Sequence, residues 1–536
     1  MPNAADIIAR RLYDAGCRTA FGIPGGEVLT LIDGLNRAGI DFILCKHENA
    51  GGFMAEGTHH VTGAPAVLVA TIGPGVANAV NVVANAEQDR VPLIFLTGCV
   101  DPAEAMTYTH QVFDHGAVLR PIVKASMTAP DGAIAETIDK AVSIALDPPF
   151  GPVHIDLPIA VAASVQEDAE PPRRARAEPA APADGDAIKA ARQRLETAER
   201  PLMIAGLEVL SQGAETTVEQ FARRFSMPVI TTYKAKGVLP ESDPLALGGA
   251  GLSPVADAHL MGLIDSSDLI VLAGYDPIEM RTGWRGCWDP AEKTVVEFTA
   301  MQNRHFMHQA TMTFIGDVGA GLTTLGNGAT PRETWSNGAP AATRQALAES
   351  FRIDEDWGPA AICDEVRKAL PANGIATVDS GAHRILLSQV WPCEQPRTLL
   401  QSTGLCTMGC ALPLAIGAKL AAPDRAAVAF TGDAGLEMVL GELATLRELS
   451  LPVIVVVFVD ASLALIELKQ RKSGLKNVGV DYGATDFAAV AGALGGVGVD
   501  VDNRADMAAA MQAALSRDTF TIIAAQLPRG AYDDRI

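Results

Sequence analysis

The chain is poor in cysteine: eight in 536 residues, none in paired C-x-x-C spacing. That excludes a disulfide framework or a cysteine zinc site and fits reduced thiols in the cytosol. Cys406 and Cys410, one helical turn apart, read as packing residues. No run of lysine and arginine is long enough to track phosphates, and the net charge is −21, which argues against nucleic-acid binding. The apolar runs end at polar residues before reaching membrane-spanning length. The start of the chain lacks the basic segment and apolar core of a secretion signal. The expectation is a soluble, cytoplasmic protein with no membrane partner.

What is present is enough apolar material for several cores, since 48% of the residues are hydrophobic. Short strand-like runs such as Pro201-Leu-Met-Ile-Ala205, Pro228-Val-Ile-Thr-Thr232, Leu269-Ile-Val-Leu-Ala273 and Thr294-Val-Val-Glu-Phe298 alternate with helix-length segments. This pattern predicts α/β architecture with doubly wound parallel sheets. Residues 165–187 lack apolar periodicity and read as a linker, and a second break falls near Gly326-Asn-Gly-Ala-Thr-Pro331. The division expected is 1–164, a linker 165–187, a central domain 188–330, a linker 331–355, and 356–536. No short tandem repeat is found.

Two carboxylates stand out in the last domain. Asp433 lies in Gly432-Asp433-Ala434-Gly435 after the strand-like Ala426-Ala-Val-Ala-Phe430, and Asp460 ends the run Leu451-Pro-Val-Ile-Val-Val-Val-Phe-Val459. Carboxylates at the ends of neighbouring strands suit a hard cation such as Mg²⁺. A glycine turn opening a helix presents N–H groups to phosphate. In the first domain Glu48 follows the strand-like Asp41-Phe-Ile-Leu44, at the strand end where α/β sheets carry their sites. Taken singly, each acid also reads as an ordinary strand-end or helix-start residue.

Ordered motifs join these positions. Phe21-Gly-Ile-Pro-Gly-Gly26, His47-Glu48-Asn49-Ala50, Ala55-Glu-Gly57, Thr71-Ile-Gly-Pro-Gly75 with Asn78, Pro92-Leu-Ile-Phe-Leu-Thr-Gly98, His110-Gln111, Asp379-Ser-Gly-Ala-His383 and Thr403-Gly-Leu-Cys-Thr-Met-Gly409 occur in sequence. Across essentially the whole chain they resemble the acetohydroxyacid (acetolactate) synthase family of thiamine-diphosphate-dependent enzymes. The resemblance implies three doubly wound domains: pyrimidine-binding, central and diphosphate-binding. It also implies cation ligation by Asp433, Asp460 and the Ser462 carbonyl, and activation of the cofactor pyrimidine by Glu48. Met408 would be the apolar wedge that keeps the cofactor bent, with plain core packing as the alternative. Gly25 and Asn78 would line the pyrimidine side, Gln111 would face the substrate, and His383 would approach the diphosphate beside Gly432, Ala434 and Gly435. Ala434 replaces a family glycine, a substitution costing about 1–2 kcal/mol if a left-handed backbone were needed there. Val459-Asp460 replaces an Asn-Asn pair.

The family places the cofactor between the first domain of one subunit and the third of another, so a homodimer or homotetramer is implied. Many members also hold a non-redox FAD in the central domain. Here Tyr275-Asp-Pro-Ile-Glu279 is more similar to flavin-free members, so no FAD is expected, although Arg281 leaves room for one. Ile466 and Lys469 fall where relatives line the substrate pocket. Lys469 reads equally as a cation for an anionic substrate group and as a solvated surface lysine. Leu463-Ala464 replaces the usual Tyr-Gly. The activity implied is a carboligase that decarboxylates a 2-oxo acid, pyruvate first among them, and joins the remaining unit to a second carbonyl. A 2-oxo acid decarboxylase or C–C lyase is the alternative, and a non-catalytic binding homologue the third.

Overall fold

Among the described residues, eighteen strands are arranged in three six-stranded sheets in which every strand pairing is parallel. The computed structural model describes residues 1–166, 178–278 and 280–536. Residues 167–177, inside the first expected linker, and Glu279, at the end of the Tyr275–Glu279 stretch, lie outside the described residues.

The first sheet contains β1 (Thr19–Ile23), β2 (Asp41–Leu44), β3 (Ala66–Ala70), β4 (Leu93–Cys99), β5 (Ala125–Thr128) and β6 (Val153–Pro158), in the order β2-β1-β3-β4-β6-β5. The second contains β7 (Pro201–Ala205), β8 (Val229–Thr232), β9 (Ala246–Ala250), β10 (Leu269–Ala273), β11 (Thr294–Thr299) and β12 (Met312–Ile315), ordered β12-β11-β10-β7-β8-β9. The third contains β13 (Ile375–Val378), β14 (Leu399–Gln401), β15 (Ala427–Gly432), β16 (Val453–Val459), β17 (Val497–Val501) and β18 (Thr521–Gln526), ordered β14-β13-β15-β16-β18-β17. Central strands such as β3, β7, β10 and β16 are buried along their whole length. Helices cover both faces of a parallel sheet, so such strands need continuous Val, Ile, Leu and Ala rather than alternation.

Relabelled from their own first strands, the first and third sheets have the same order, 2-1-3-4-6-5. The helix after the second strand is α1 (Glu48–Thr62) in the first domain and, beyond a loop, α4 (Ala411–Ala421) in the third. These two helices cross in direct contact. A side chain at Gly57 would stand 2.3 Å from the Leu414 carbonyl oxygen, and one at Gly417 would stand 1.8 Å from that of Met54. Glycine at both positions lets the two backbones touch. Their shared apolar residues, among them Phe53, Met54, Leu414 and Ile416, join the core on one face of the first sheet to that on one face of the third.

The segment 331–355 carries a helix, Ala339–Ser350. It packs with Trp335 and Leu347 against the central core. Among the described residues no helix is long and apolar enough to cross a membrane.

Candidate active site

Parallel sheets leave a crevice where the strand order reverses, at the carboxyl ends of the strands. In the third sheet that point lies between β13 and β15, and an open cavity of about 120 Å³ sits there. Three segments bound it: Ser380–His383 after β13, Gly432–Gly435 after β15, and Asp460–Ile466 after β16, with Met408, Tyr482 and Tyr532 closing the sides. The helices α3 (Ala382–Val390) and α5 (Asp433–Glu437) both begin at this wall. Their first-turn N–H groups favour an anion such as a diphosphate.

Asp433 is buried and held in place by four hydrogen bonds. Its Oδ2 accepts from the N–H of Asp460 at 3.2 Å and of Ala461 at 2.8 Å, and its Oδ1 accepts from the N–H of Ala434 at 2.8 Å and from the Tyr482 hydroxyl. The same hydroxyl lies 3.3 Å from the Ser462 carbonyl oxygen. Asp460 accepts the Ser462 N–H at 3.1 Å. Burial, and then the charge of Asp433, push the Asp460 carboxyl up to about 7. Two crowded carboxylates and a carbonyl are a hard oxygen set that a divalent cation would neutralise, so the donors fit an ion of the Mg²⁺ class. The steric demand anticipated at residue 434 falls elsewhere. Ala434 is inside α5, and the left-handed residue of the cation loop is Ala461, with φ 54°.

Asp379 organises the same wall. It is fully buried, pairs with His383 Nε2 at 2.8 Å, and accepts from the Gly409 N–H at 2.7 Å and the Thr431 hydroxyl at 3.0 Å. A Cβ on Gly435 would fall 2.1 Å from Asp379 Oδ2, so only glycine lets the α5 turn settle against it. His383 stacks on Phe458 with ring centroids 5.2 Å apart. The reading of the sequence singled out His383 but missed Asp379, Tyr482 and Tyr532. Asp379 and His383 are spaced one helical turn apart, a signal that was legible. The two tyrosines have no local signal.

The first-domain residues gather separately. Glu48 opens α1 at the end of β2 and is only 3% exposed. Its Oε2 accepts from Asn78 Nδ2 at 3.0 Å, and a side chain at Gly75 would press to within 3.2 Å of Oε1. Asn78 stands near the start of α2 (Pro74–Gln88). Gly25 lies against Thr71, whose hydroxyl donates to Glu27 at 2.5 Å. Gln111 takes φ 59° and crosses Gly73 so closely that a Cβ there would sit 2.1 Å from the Gln111 carbonyl oxygen. The Gly73 N–H donates to His115 Nε2 at 3.2 Å, and His115 Nδ1 faces Asp156 at 2.7 Å, a support the sequence reading did not identify.

The structure therefore brings Asp433, Ala434, Gly435, Gly432, Asp460, Ser462, His383, Met408 and Ile466 around one cavity. It groups Glu48 with Asn78 elsewhere, and none of Gly25, Glu48, Asn78 and Gln111 lines that cavity. Lys469 is exposed and does not line it, while Ile466 is on its wall and half exposed.

Comparison with known proteins matches three thiamine pyrophosphate enzyme models: the N-terminal TPP binding domain over residues 2–118, the central domain over 188–325 and the C-terminal TPP binding domain over 379–525. The chain is 30% identical over 525 residues to the acetolactate synthase isozyme 1 large subunit of Escherichia coli (strain K12), covering 96% of this chain and 92% of that protein. It is 28% identical over 537 residues to the acetolactate synthase of Bacillus subtilis (strain 168), covering 97% and 92%. It is 30% identical over 508 residues to a probable 2-ketoarginine decarboxylase of Pseudomonas aeruginosa, covering 92% and 88%.

Proposed function

The chain belongs to the acetolactate synthase family of thiamine diphosphate (thiamine pyrophosphate) enzymes, and on that premise we propose that it decarboxylates a 2-oxo acid, pyruvate first, and joins the remaining unit to a second carbonyl compound. The observation that carries the reading is the cavity at the switch point of the third sheet, with its hard oxygen donors and two helix N-termini. Bound there, the cofactor supplies a cationic thiazolium that stabilises the negative charge left when CO₂ departs.

This chain's residues would divide the remaining work. Asp433, Asp460 and the Ser462 carbonyl hold a divalent cation of the Mg²⁺ type, and the first turns of α3 and α5 hold the diphosphate. Met408 on the cavity wall supports the cofactor's bend. Glu48, kept from water and fixed through Oε2 by Asn78, shares a proton with the cofactor's pyrimidine ring at Oε1. Gln111 faces the substrate. Leu463, Leu465 and Ile466 present an aliphatic wall that excludes water from the reacting carbons.

The two acidic centres line different places in one chain, which supports a site completed by a second copy: Glu48 from one subunit and Asp433 from another, in a homodimer or homotetramer. Mixing Glu48→Gln and Asp433→Ala proteins under subunit exchange should restore activity, about a quarter of the native level for random pairing of a two-fold dimer. A mixture that stays inactive refutes the shared site. The proposed domain limits are 1–164, 188–330 and 356–536. We place the protein in the cytoplasm, in keeping with eight cysteines of which none forms a disulfide. The central domain is proposed to lack FAD, and a flavin absorption band in the purified protein would overturn this.

A second reading, simple 2-oxo acid decarboxylation, is favoured by the relative named as a decarboxylase and by Leu463-Ala464 in place of Tyr-Gly beside the cation ligands. A panel of 2-oxo acids incubated with thiamine diphosphate and Mg²⁺ separates the two by product mass. A 2-hydroxy-3-oxo acid identifies ligation, and a free aldehyde identifies decarboxylation.

A further inference from the structure

Helix α2 carries four polar side chains along one face, at spacings of three and four residues that place them in a row. Asn78, near its start, donates to Glu48. The next three all reach the loop 402–407 that leads into Met408. Asn81 Nδ2 donates to the Thr407 hydroxyl at 3.2 Å and to Asn49 Oδ1 at 3.1 Å. Asn85 accepts the Ser402 hydroxyl at 2.5 Å while donating to Glu56 at 3.0 Å. Asp89, the C-cap, accepts from the Thr403 hydroxyl at 2.7 Å, the Gly404 N–H at 2.7 Å and the Thr403 N–H at 3.0 Å. Ser402 passes the hold on, accepting the Thr407 N–H at 3.1 Å. Asp89 is itself fixed by Lys234 of the central domain, whose Nζ lies 3.0 Å away. Cys406 in this loop takes φ 53°, a conformation a free loop would rarely hold.

We propose that α2 sets the position of Met408 in its own chain, with Asn81, Asn85 and Asp89 as positioning residues for the cofactor wedge. This rests on the proposed shared site and extends it. One helix then braces the Glu48 carboxylate of one cofactor site and the Met408 loop of the other. Within the chain the two groups flank neighbouring rungs of the helix, since Asn81 ties Asn49, beside Glu48, to Thr407, beside Met408.

The first test removes one rung. Asn81 is exposed in the single chain, so Asn81→Ala should leave folding intact. Asn81→Ala and Thr407→Val should each raise the dissociation constant for thiamine diphosphate with Mg²⁺ by about fivefold in calorimetry. The double variant should be no worse than the worse single variant, and Thr407→Ser should restore native binding. Additive losses, or unchanged binding with only a lowered melting temperature, overturn the proposal.

The second test uses mixed oligomers of Glu48→Gln and Asp433→Ala chains, in which the working site takes Met408 from the Glu48→Gln chain. Asp89→Asn should cost about tenfold or more in kcat when placed on that chain and markedly less when placed on the Asp433→Ala chain. Equal losses from either chain contradict in-chain positioning. Should the unsubstituted mixture regain no activity, the shared site itself fails, and the calorimetric cycle still decides whether α2 holds the loop.

Discussion

The first and third domains are two copies of one topology put to opposite chemical use. Both sheets run 2-1-3-4-6-5, and both place their polar groups at the carboxyl ends of the strands around the switch point. In the third domain the turn after the third strand supplies Asp433, and the turn after the fourth supplies Asp460, the two acids proposed to hold the cation. In the first domain the corresponding turn after the third strand is Thr71–Gly73, without an acid, and the acid sits instead after the second strand, as Glu48. The difference shows how a parallel sheet separates scaffold from chemistry, because strand order depends on buried apolar runs and the strand-end loops remain free to vary.

The comparison is broken most directly by exchanging the acids. Asp433→Ala should abolish retention of thiamine diphosphate with Mg²⁺ and lower activity by about a thousandfold or more, because it removes a proposed cation ligand. Glu48→Gln should lower kcat by about 10²–10⁴ as a lost acid–base group does, while cofactor binding measured by calorimetry stays within a few-fold of native. Equal collapse of binding in both variants would show that the two domains do not divide binding from activation.

A smaller effect is expected where the equivalent helices α1 and α4 meet. Gly417→Ala puts a methyl group 1.8 Å from the Met54 carbonyl oxygen, and Gly57→Ala puts one 2.3 Å from that of Leu414. Each should destabilise the protein by about 1–3 kcal/mol or more in denaturant titration, the cost of overpacking a rigid contact. A neutral Gly417→Ala would mean that the two domains slide apart readily.

Between those helices and the central domain lies a buried polar cluster. Burial pushes the Glu56 carboxyl up to about 7 from 4.5, while Lys234, together with hydrogen bonds from residues 403 and 404, outweighs burial and keeps Asp89 below its ordinary range. Because the Glu56 value is raised on folding, its contribution is favourable below pH 4.5 and is lost as pH rises through 7. Glu56→Gln should therefore flatten that loss and gain stability relative to native as pH rises between those limits. Urea unfolding at several pH values checks the sign, and a variant whose relative stability falls with rising pH contradicts it.

The least effect is expected at Lys469. It is exposed and off the cavity wall in a single chain, so Lys469→Gln should raise KM for an acidic 2-oxo acid by about threefold at most, with kcat unchanged. A larger rise would place this lysine in the pocket completed by the second copy.

Much of this molecule was written locally. Runs such as Leu269–Ala273 and Val453–Val459 became buried parallel strands, since continuous β-branched and aliphatic residues have no other stable place in an α/β layer. Asp433 and Asp460 were legible because each closes such a run, and Glu48 because it follows the short, half-buried strand Asp41–Leu44. Other features depend on contacts between segments far apart in the chain, and no local pattern encodes them. Tyr482 on Asp433, Asp379 beneath Gly435, the touching glycines of α1 and α4, and the hold of α2 on the Met408 loop are of this kind. The sequence by itself determined which elements form and which acids cap them, through hydrophobic periodicity and turn chemistry. Only the tertiary structure decided which capped ends share a cavity, because that follows from how whole sheets and helices close-pack rather than from any residue's neighbours.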